Sequence, residues 1–216
     1  MREVVLIIAP HPDDEIIGVG GTIAKLIEIG AEVFVVYVTN GNPPCPGYTF
    51  EEFTRIRRKE TIEAARILGL KEENLIFFDE KPWEINPTKV RFKLLEQIRV
   101  IRPYVVFIPS PDQHLDHIEV HKVSVDAVKM APSKWFSPVE HNFKGVCEIL
   151  VYEVQQPIQS PNVFIDITEQ LDKKLRALRC HKTQNVEKYL QLIKGLAMFR
   201  GSFVGKKFAE AFERIY

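Results

Sequence analysis

Short, wholly apolar runs alternate with helically patterned segments along most of this chain, and that alternation constrains the fold more than any other feature. Val4 to Ala9, Val33 to Val38, Leu75 to Phe78 and Val105 to Ile108 are continuous and rich in β-branched or aromatic residues. Runs of that kind read as strands buried on both faces, the hallmark of a parallel sheet. Between them, helical periodicity marks Thr22 to Ile29, closed by Gly30, and Phe50 to Leu68, closed by Gly69. It also marks Thr88 to Ile101, halted before Pro103, and a less regular stretch from His117 to about Met130. Strand–helix–strand repetition with short links implies right-handed crossovers and helices on both sheet faces. The expected fold class is α/β: a single-domain, Rossmann-like fold over residues 1–216, its mostly parallel sheet flanked by helices. Ile149 to Tyr152 and Val163 to Ile165 continue the strands. Thr168 is expected to cap a helix carrying Leu171, Leu175 and Leu178, and the long loops fall at Pro43–Gly47 and Ala131–Cys147.

Charge narrows the function. Lysine plus arginine and aspartate plus glutamate number 29 each, so no basic footprint points to nucleic acid or an anionic membrane. No apolar segment is long enough to span a bilayer, and the first apolar run breaks at Pro10 without a cleavage pattern. Cys45, Cys147 and Cys180 are widely spaced and form neither a disulfide framework nor a Cys-x-x-Cys site. These features predict a soluble, cytoplasmic protein, with a homo-oligomer left open.

Two segments carry the chemistry. "LIIAPHPDDEIIGVGG" ends the first strand in His11, Asp13, Asp14 and Glu15, and "VVFIPSPDQHLDHIEVH" ends the fourth in Asp112, His114, Asp116, His117 and His121. With strand order 3-2-1-4, the carboxyl ends of strands one and four flank the topological switch point, so the clusters should face each other across one crevice. One acidic turn alone is more often a helix N-terminal charge cluster. Two clusters, each after a buried strand, favour a cation. His11 and Asp14 with a histidine of the second cluster suit Zn²⁺ with a fourth position open. Asp13, whose side chain diverges from that of Asp14, is left to act as a base. His114, one turn before His117, is placed to stabilise an oxyanion or protonate a leaving group. His121 shares a helix face with His117 and is expected to support the site, and His141 reads as a loop histidine.

These residues resemble a known family. "PHPDDE" with "GVGGTIAKL", and later "DQHLDH", are similar to the motifs of the LmbE-like, PIG-L family of metal-dependent N-acetylglucosaminyl deacetylases. "RKETIEAARILGL", "KLRALRCHKTQ" and "FRGSFVGKKFAEAFERIY" extend the likeness over nearly the whole chain. The resemblance implies His11, Asp14 and His117 as zinc ligands, Asp13 as general base, and His114 as acid or electrostatic partner. It implies Asp116 as the group that orients or tunes His114, and Arg57, His181 and Gln184 as substrate contacts. Its implied reaction releases acetate and a free amine from a small N-acetylated amino sugar or glycoside. Leu115 stands where the family has proline, Thr183 replaces a serine, and "FFDEKPWEI" lacks a glycine after its aspartate. The aromatic residues Tyr48, Phe50, Trp135 and Phe136 are candidates to stack on sugar faces.

Three rivals are weaker. A dinucleotide site needs close glycines at the first turn, where three carboxylates would repel phosphate. No Gly-x-Ser-x-Gly elbow supports a serine hydrolase. Another metal-dependent amidase, or a non-haem iron enzyme on the same two-histidine, one-carboxylate set, is distinguished by metal assay.

Overall fold

Alternate residues of the first strand, β1 (Val4–Ala9), divide between two apolar cores, one on each sheet face. Val5, Ile7 and Ala9 enter one core, Leu6 and Ile8 the other, as the two-residue period of a strand requires. In this computed structural model, residues 3–41, 47–136, 143–146, 148–184 and 186–215 are described. β1 is followed by α1 (Asp14–Glu28), β2 (Glu32–Thr39), α2 (Phe50–Leu68), β3 (Leu75–Glu80), α3 (Pro87–Ile101), β4 (Val105–Pro109) and α4 (Leu115–Met130). The chain continues through β5 (Glu148–Tyr152), β6 (Val163–Asp166), α5 (Leu171–Leu178), α6 (Val186–Ser202) and β7 (Ala209–Arg214).

The strands form one sheet in the order β3-β2-β1-β4-β5-β7-β6. The pairings from β3 to β5 are parallel, and β7 lies antiparallel between β5 and β6. The expected α/β class and the 3-2-1-4 order therefore hold. α3 and α4 cover one face of the sheet, whereas α1, α2, α5 and α6 cover the other. Fully burying an Ile or Leu such as Leu6, Ile7 or Ile8 contributes on the order of 1.5–3 kcal/mol. The closing segment, with no strand or long helix assigned to it from sequence alone, supplies α6 and the inserted strand β7.

The first helix begins eight residues before the expected Thr22, at Asp14. Glycines there read as turn residues but serve close packing inside the helix. A Cβ on Gly18 would stand 2.2 Å from Tyr152 Cδ2 and 2.6 Å from the Glu153 carbonyl oxygen, and one on Gly21 would stand 2.7 Å from Ile167. Gly18→Ala is therefore expected to lower stability by about 1–3 kcal/mol, overriding alanine's higher helix propensity. Denaturant unfolding checks this, and an unchanged midpoint would contradict the packing argument.

Other ends differ by less. α2 starts at a capping box: Thr49 Oγ1 accepts the Glu52 N–H at 3.2 Å and Glu52 Oε2 accepts the Thr49 N–H at 2.9 Å. Thr168 does not cap α5. Its hydroxyl donates to Asp166 Oδ1 at 2.7 Å, and the helix starts after Gln170. Leu115, the first residue of α4, occupies the position at which proline is well tolerated, so its departure from the family pattern leaves the helix start in place. Among the described residues no helix is long and apolar enough to cross a membrane.

Candidate active site

Adjacent parallel strands β1 and β4 end side by side, where the order of the sheet reverses, and both polar clusters emerge there. His11 leaves β1 after Pro10. Its Nδ1 lies 3.0 Å from Asp14 Oδ2, the same oxygen that accepts the His11 N–H at 2.9 Å. His117, in the first turn of α4, brings Nε2 to 3.3 Å from His11 Nδ1 and 3.4 Å from Asp14 Oδ2. Those three atoms form a triangle with sides of 3.0–3.4 Å. Ligands about 2.0–2.1 Å from a tetrahedral zinc ion lie roughly 3.3–3.4 Å apart, so the donor set fits that ion.

The ring atoms facing away are equally well fixed. His11 Nε2 meets Asp116 Oδ2 at 2.9 Å and His117 Nδ1 meets Asp112 Oδ2 at 2.9 Å. A carboxylate behind each imidazole sets its tautomer and makes the inward nitrogen the stronger ligand. Burial alone would lower both histidines. Asp14 with Asp116 outweighs it and raises His11 to about 9, and Asp14 with Asp112 raises His117 to about 10. Asp14 is held well below the usual carboxylate range: burial opposes this, but His117 and His11 prevail. A divalent ion bound by these atoms would displace the protons that the raised pKa values place on the two rings. Divalent metal uptake near pH 7.5 should therefore release about one to two protons per ion. Calorimetry in buffers of different ionisation enthalpy reads this directly, and an enthalpy independent of buffer would contradict it.

His114 also falls within the cluster, since His11, His114 and His117 can offer nitrogens within 4.8 Å of one another. The choice between it and Asp14 as third ligand follows from its hydrogen bond. His114 Nδ1 accepts the Asp116 N–H at 3.2 Å, capping α4. A neutral ring so engaged carries its proton on Nε2 and is a donor, with no second lone pair for a metal. Asp14 Oδ2 offers the third acceptor atom of the triangle. Asp116 meets His114 through its backbone N–H, which holds Nδ1, while its carboxylate bonds His11 and the Trp83 N–H. Burial, then His11 and His117, push the His114 pKa down, against the pull of the Asp116 and Asp14 carboxylates.

The three carboxylates of the acidic turn have separate environments. Asp13 precedes α1 at φ 118°, a backbone region rarely occupied by residues other than glycine, and its side chain makes no capping bond. Its Oδ2 lies 3.6 Å from Arg57 Nη2. Burial pushes Asp13 up to about 6, against the pull of Arg57. Glu15 turns inward, accepting the Tyr37 hydroxyl at 2.8 Å and the Asp13 N–H at 3.1 Å. Glu15 thereby fastens the strained turn, a role not assigned to it from sequence.

Arg57 is 1% exposed, donates to the Pro12 carbonyl and borders the cleft of about 480 Å³ in front of the donor triangle. Its Nε and Nη1 have no hydrogen-bond partner among the described residues. Gly41, at φ 89°, is required beside it, because a Cβ there would stand 2.9 Å from Arg57 Nε. Gln184 borders the same cleft. His181 does not, among the described residues. It is fully buried with both ring nitrogens unbonded, and burial, then Arg57, push it down to about 3. Glu60 anchors the turn after it, accepting the Thr183 N–H at 2.9 Å and its hydroxyl at 2.6 Å.

His121 donates Nδ1–H to the Pro109 carbonyl at 2.8 Å and joins the end of β4, not the donor triangle. His141 and residues 43–46 lie outside the described residues, as does the Phe136 side chain. Tyr48, Phe50 and Trp135 do not border the cleft among the described residues. Tyr189 borders it instead, and a further aromatic residue, Trp83, packs against His114. Its backbone sits at φ 60°, its N–H donates to Asp116 Oδ1 at 2.9 Å, and its indole lies nearly parallel to His114, at 6.1 Å and 16°. A bulky residue in that conformation is strained, and strain of this kind gathers at functional sites. The only signal for it in the sequence is the unusual "FFDEKPWEI" stretch.

Fold and site together define a doubly wound α/β protein whose switch point brings two histidines and a carboxylate into one triangle, with a strained acidic residue beside it. The chain belongs to the PIG-L family: the family model described as GlcNAc-PI de-N-acetylase matches residues 6–128. It is 30% identical to a diacetylchitobiose deacetylase of Thermococcus kodakarensis, over 95% of this chain and 80% of that one. The solved N,N'-diacetylchitobiose deacetylase of Pyrococcus horikoshii superposes with a TM-score of 0.90 at 31% identity, covering 99% of this chain and 84% of that one. A 4-oxalmesaconate hydratase of Pseudomonas putida is 29% identical over 81% of this chain and 71% of its own. Different reactions thus occur on related chains, and the chemistry has to be argued from the site.

Proposed function

We propose that this chain removes the N-acetyl group from an N-acetylglucosamine-type small sugar or glycoside, with Zn²⁺ held by His11, Asp14 and His117. One observation carries the reading: the three inward donor atoms are spaced for a tetrahedral ion, with Asp13 beside them but outside the set. The family description and the diacetylchitobiose deacetylases support acetamide hydrolysis on an amino sugar over the hydratase reaction.

His11, Asp14 and His117 would hold the zinc ion, which would supply Lewis acidity and lower the pKa of water toward neutrality. Asp13 accepts the proton of the attacking water and passes it to the departing amine. The His114 Nε2–H donates to the oxygen that becomes negative as the acetyl carbon turns tetrahedral. Arg57 and Gln184 hold sugar hydroxyls in front of the triangle. The products are acetate and a free amino sugar. The same reading makes the chain a cytoplasmic enzyme acting on soluble substrates.

Incubation with N-acetylglucosamine, diacetylchitobiose and simple glycosides tests this by paired assays of acetate and amine. Equal amounts of both are expected. Amine without acetate, or neither with any sugar, would overturn the reading, and elemental analysis separates zinc from iron.

A further inference from the structure

A second cleft opens beside the catalytic one and shares Ile17, Val154, Gln155 and Tyr189 with it. The two are joined structurally as well as spatially, because the Gln155 N–H donates to Asp112 Oδ2, the oxygen that backs His117. Leu192, Ile193, Leu196 and Ala197 of α6 form one wall, and Ala209 and Ala211, alternate residues of β7, form another.

Three charged residues also border this cleft, yet each is committed inside the protein. Lys174 Nζ lies 2.6 Å from Glu210 Oε1 and donates to the Ile17 carbonyl at 2.7 Å. Glu210 also accepts the Gly21 and Thr22 N–H groups at 2.8 and 2.7 Å. Glu153 is paired with Arg200 and accepts the Ile158 N–H at 2.8 Å. A charged ligand would meet apolar walls and carboxylates already engaged, so the cleft selects an uncharged, apolar group.

We infer that this cleft receives an apolar aglycone attached to the N-acetylated sugar, which makes alkyl or aryl glycosides better substrates than the free sugar or its disaccharide. The inference rests on the deacetylase reading. Acetyl, the acyl group in that reaction, ends one methyl beyond its carbonyl and cannot fill a neighbouring cleft. The substituent on the sugar can.

The test compares kcat/KM for acetate release from N-acetylglucosamine and from its methyl, butyl, hexyl and octyl glycosides of both anomers. An increase of about three- to fourfold per buried methylene is expected until the cleft is full. Leu192→Asp places a charge on the α6 wall at a position 56% exposed, where folding tolerates it. It should abolish the chain-length gain while leaving the rate on free N-acetylglucosamine unchanged. Calorimetric binding of octyl glucosaminide, the deacetylated product, to the zinc-loaded protein gives a readout independent of turnover. If no sugar is deacetylated but octyl glucosaminide binds more tightly than glucosamine, and Leu192→Asp removes the difference, the catalytic reading fails and the cleft stands. A flat chain-length profile without such binding would overturn the cleft. So would a gain that follows the length of the N-acyl group instead, or a Leu192→Asp variant that changes only self-association in sedimentation.

Discussion

Asp13→Asn is expected to keep its zinc and to lose about two to four orders of magnitude in kcat, the usual worth of a positioned general base. Asp13 lies outside the donor triangle, so its loss leaves the three ligand atoms in place. Burial holds its carboxylate near 6, basic enough to take a proton yet ionised at neutral pH. Asparagine suits the test because it keeps the size of the side chain and tolerates the positive φ of 118° better than most residues. The amide oxygen cannot become basic. The acid limb of the kcat/KM profile, where activity rises as Asp13 loses its proton, should vanish with it. Activity within about tenfold of the unmodified enzyme would assign the base to another group.

The second large effect concerns the ligands. His117→Ala should lower zinc affinity by more than about 100-fold and reduce turnover in proportion. Asp112→Asn, which removes only the carboxylate behind His117, should cost about 10–100-fold. This ordering separates a ligand from its support. The imidazole presents Nε2 to the triangle and Nδ1 to Asp112, so the asparagine variant disturbs its orientation but keeps the donor. Equilibrium titration with a zinc indicator measures both constants. Full affinity in His117→Ala would promote His114 as the second imidazole.

Much of this site was legible in the sequence because its parts follow directly on buried strands. The apolar runs place β1 and β4, the strand order places their ends together, and residues immediately after a strand end have little freedom to go elsewhere. What lies further along the chain was not legible. The carboxylate of Asp116 turns to His11, on the opposite segment, a choice made by tertiary approach and invisible to spacing. Trp83 comes from the loop after β3, where no periodicity marks which side chain faces the crevice. The early start of α1 was hidden for a different reason. Gly18 and Gly21 argue locally for a turn, and only the packing of α1 against Tyr152 and Ile167 explains them inside a helix. His181 looked like a cleft residue from its motif, yet it is buried beside Arg57 with its ring nitrogens unbonded among the described residues.

The central claim is that a zinc ion on His11, Asp14 and His117 is what makes this chain a deacetylase. Protein stripped with a chelator and reloaded stepwise with zinc, assayed for acetate release from a simple N-acetylglucosamine glycoside, tests it most directly. The account predicts no acetate from the stripped protein and activity that rises linearly and levels off at one zinc per chain. Stripped protein that releases acetate at the original rate would contradict it.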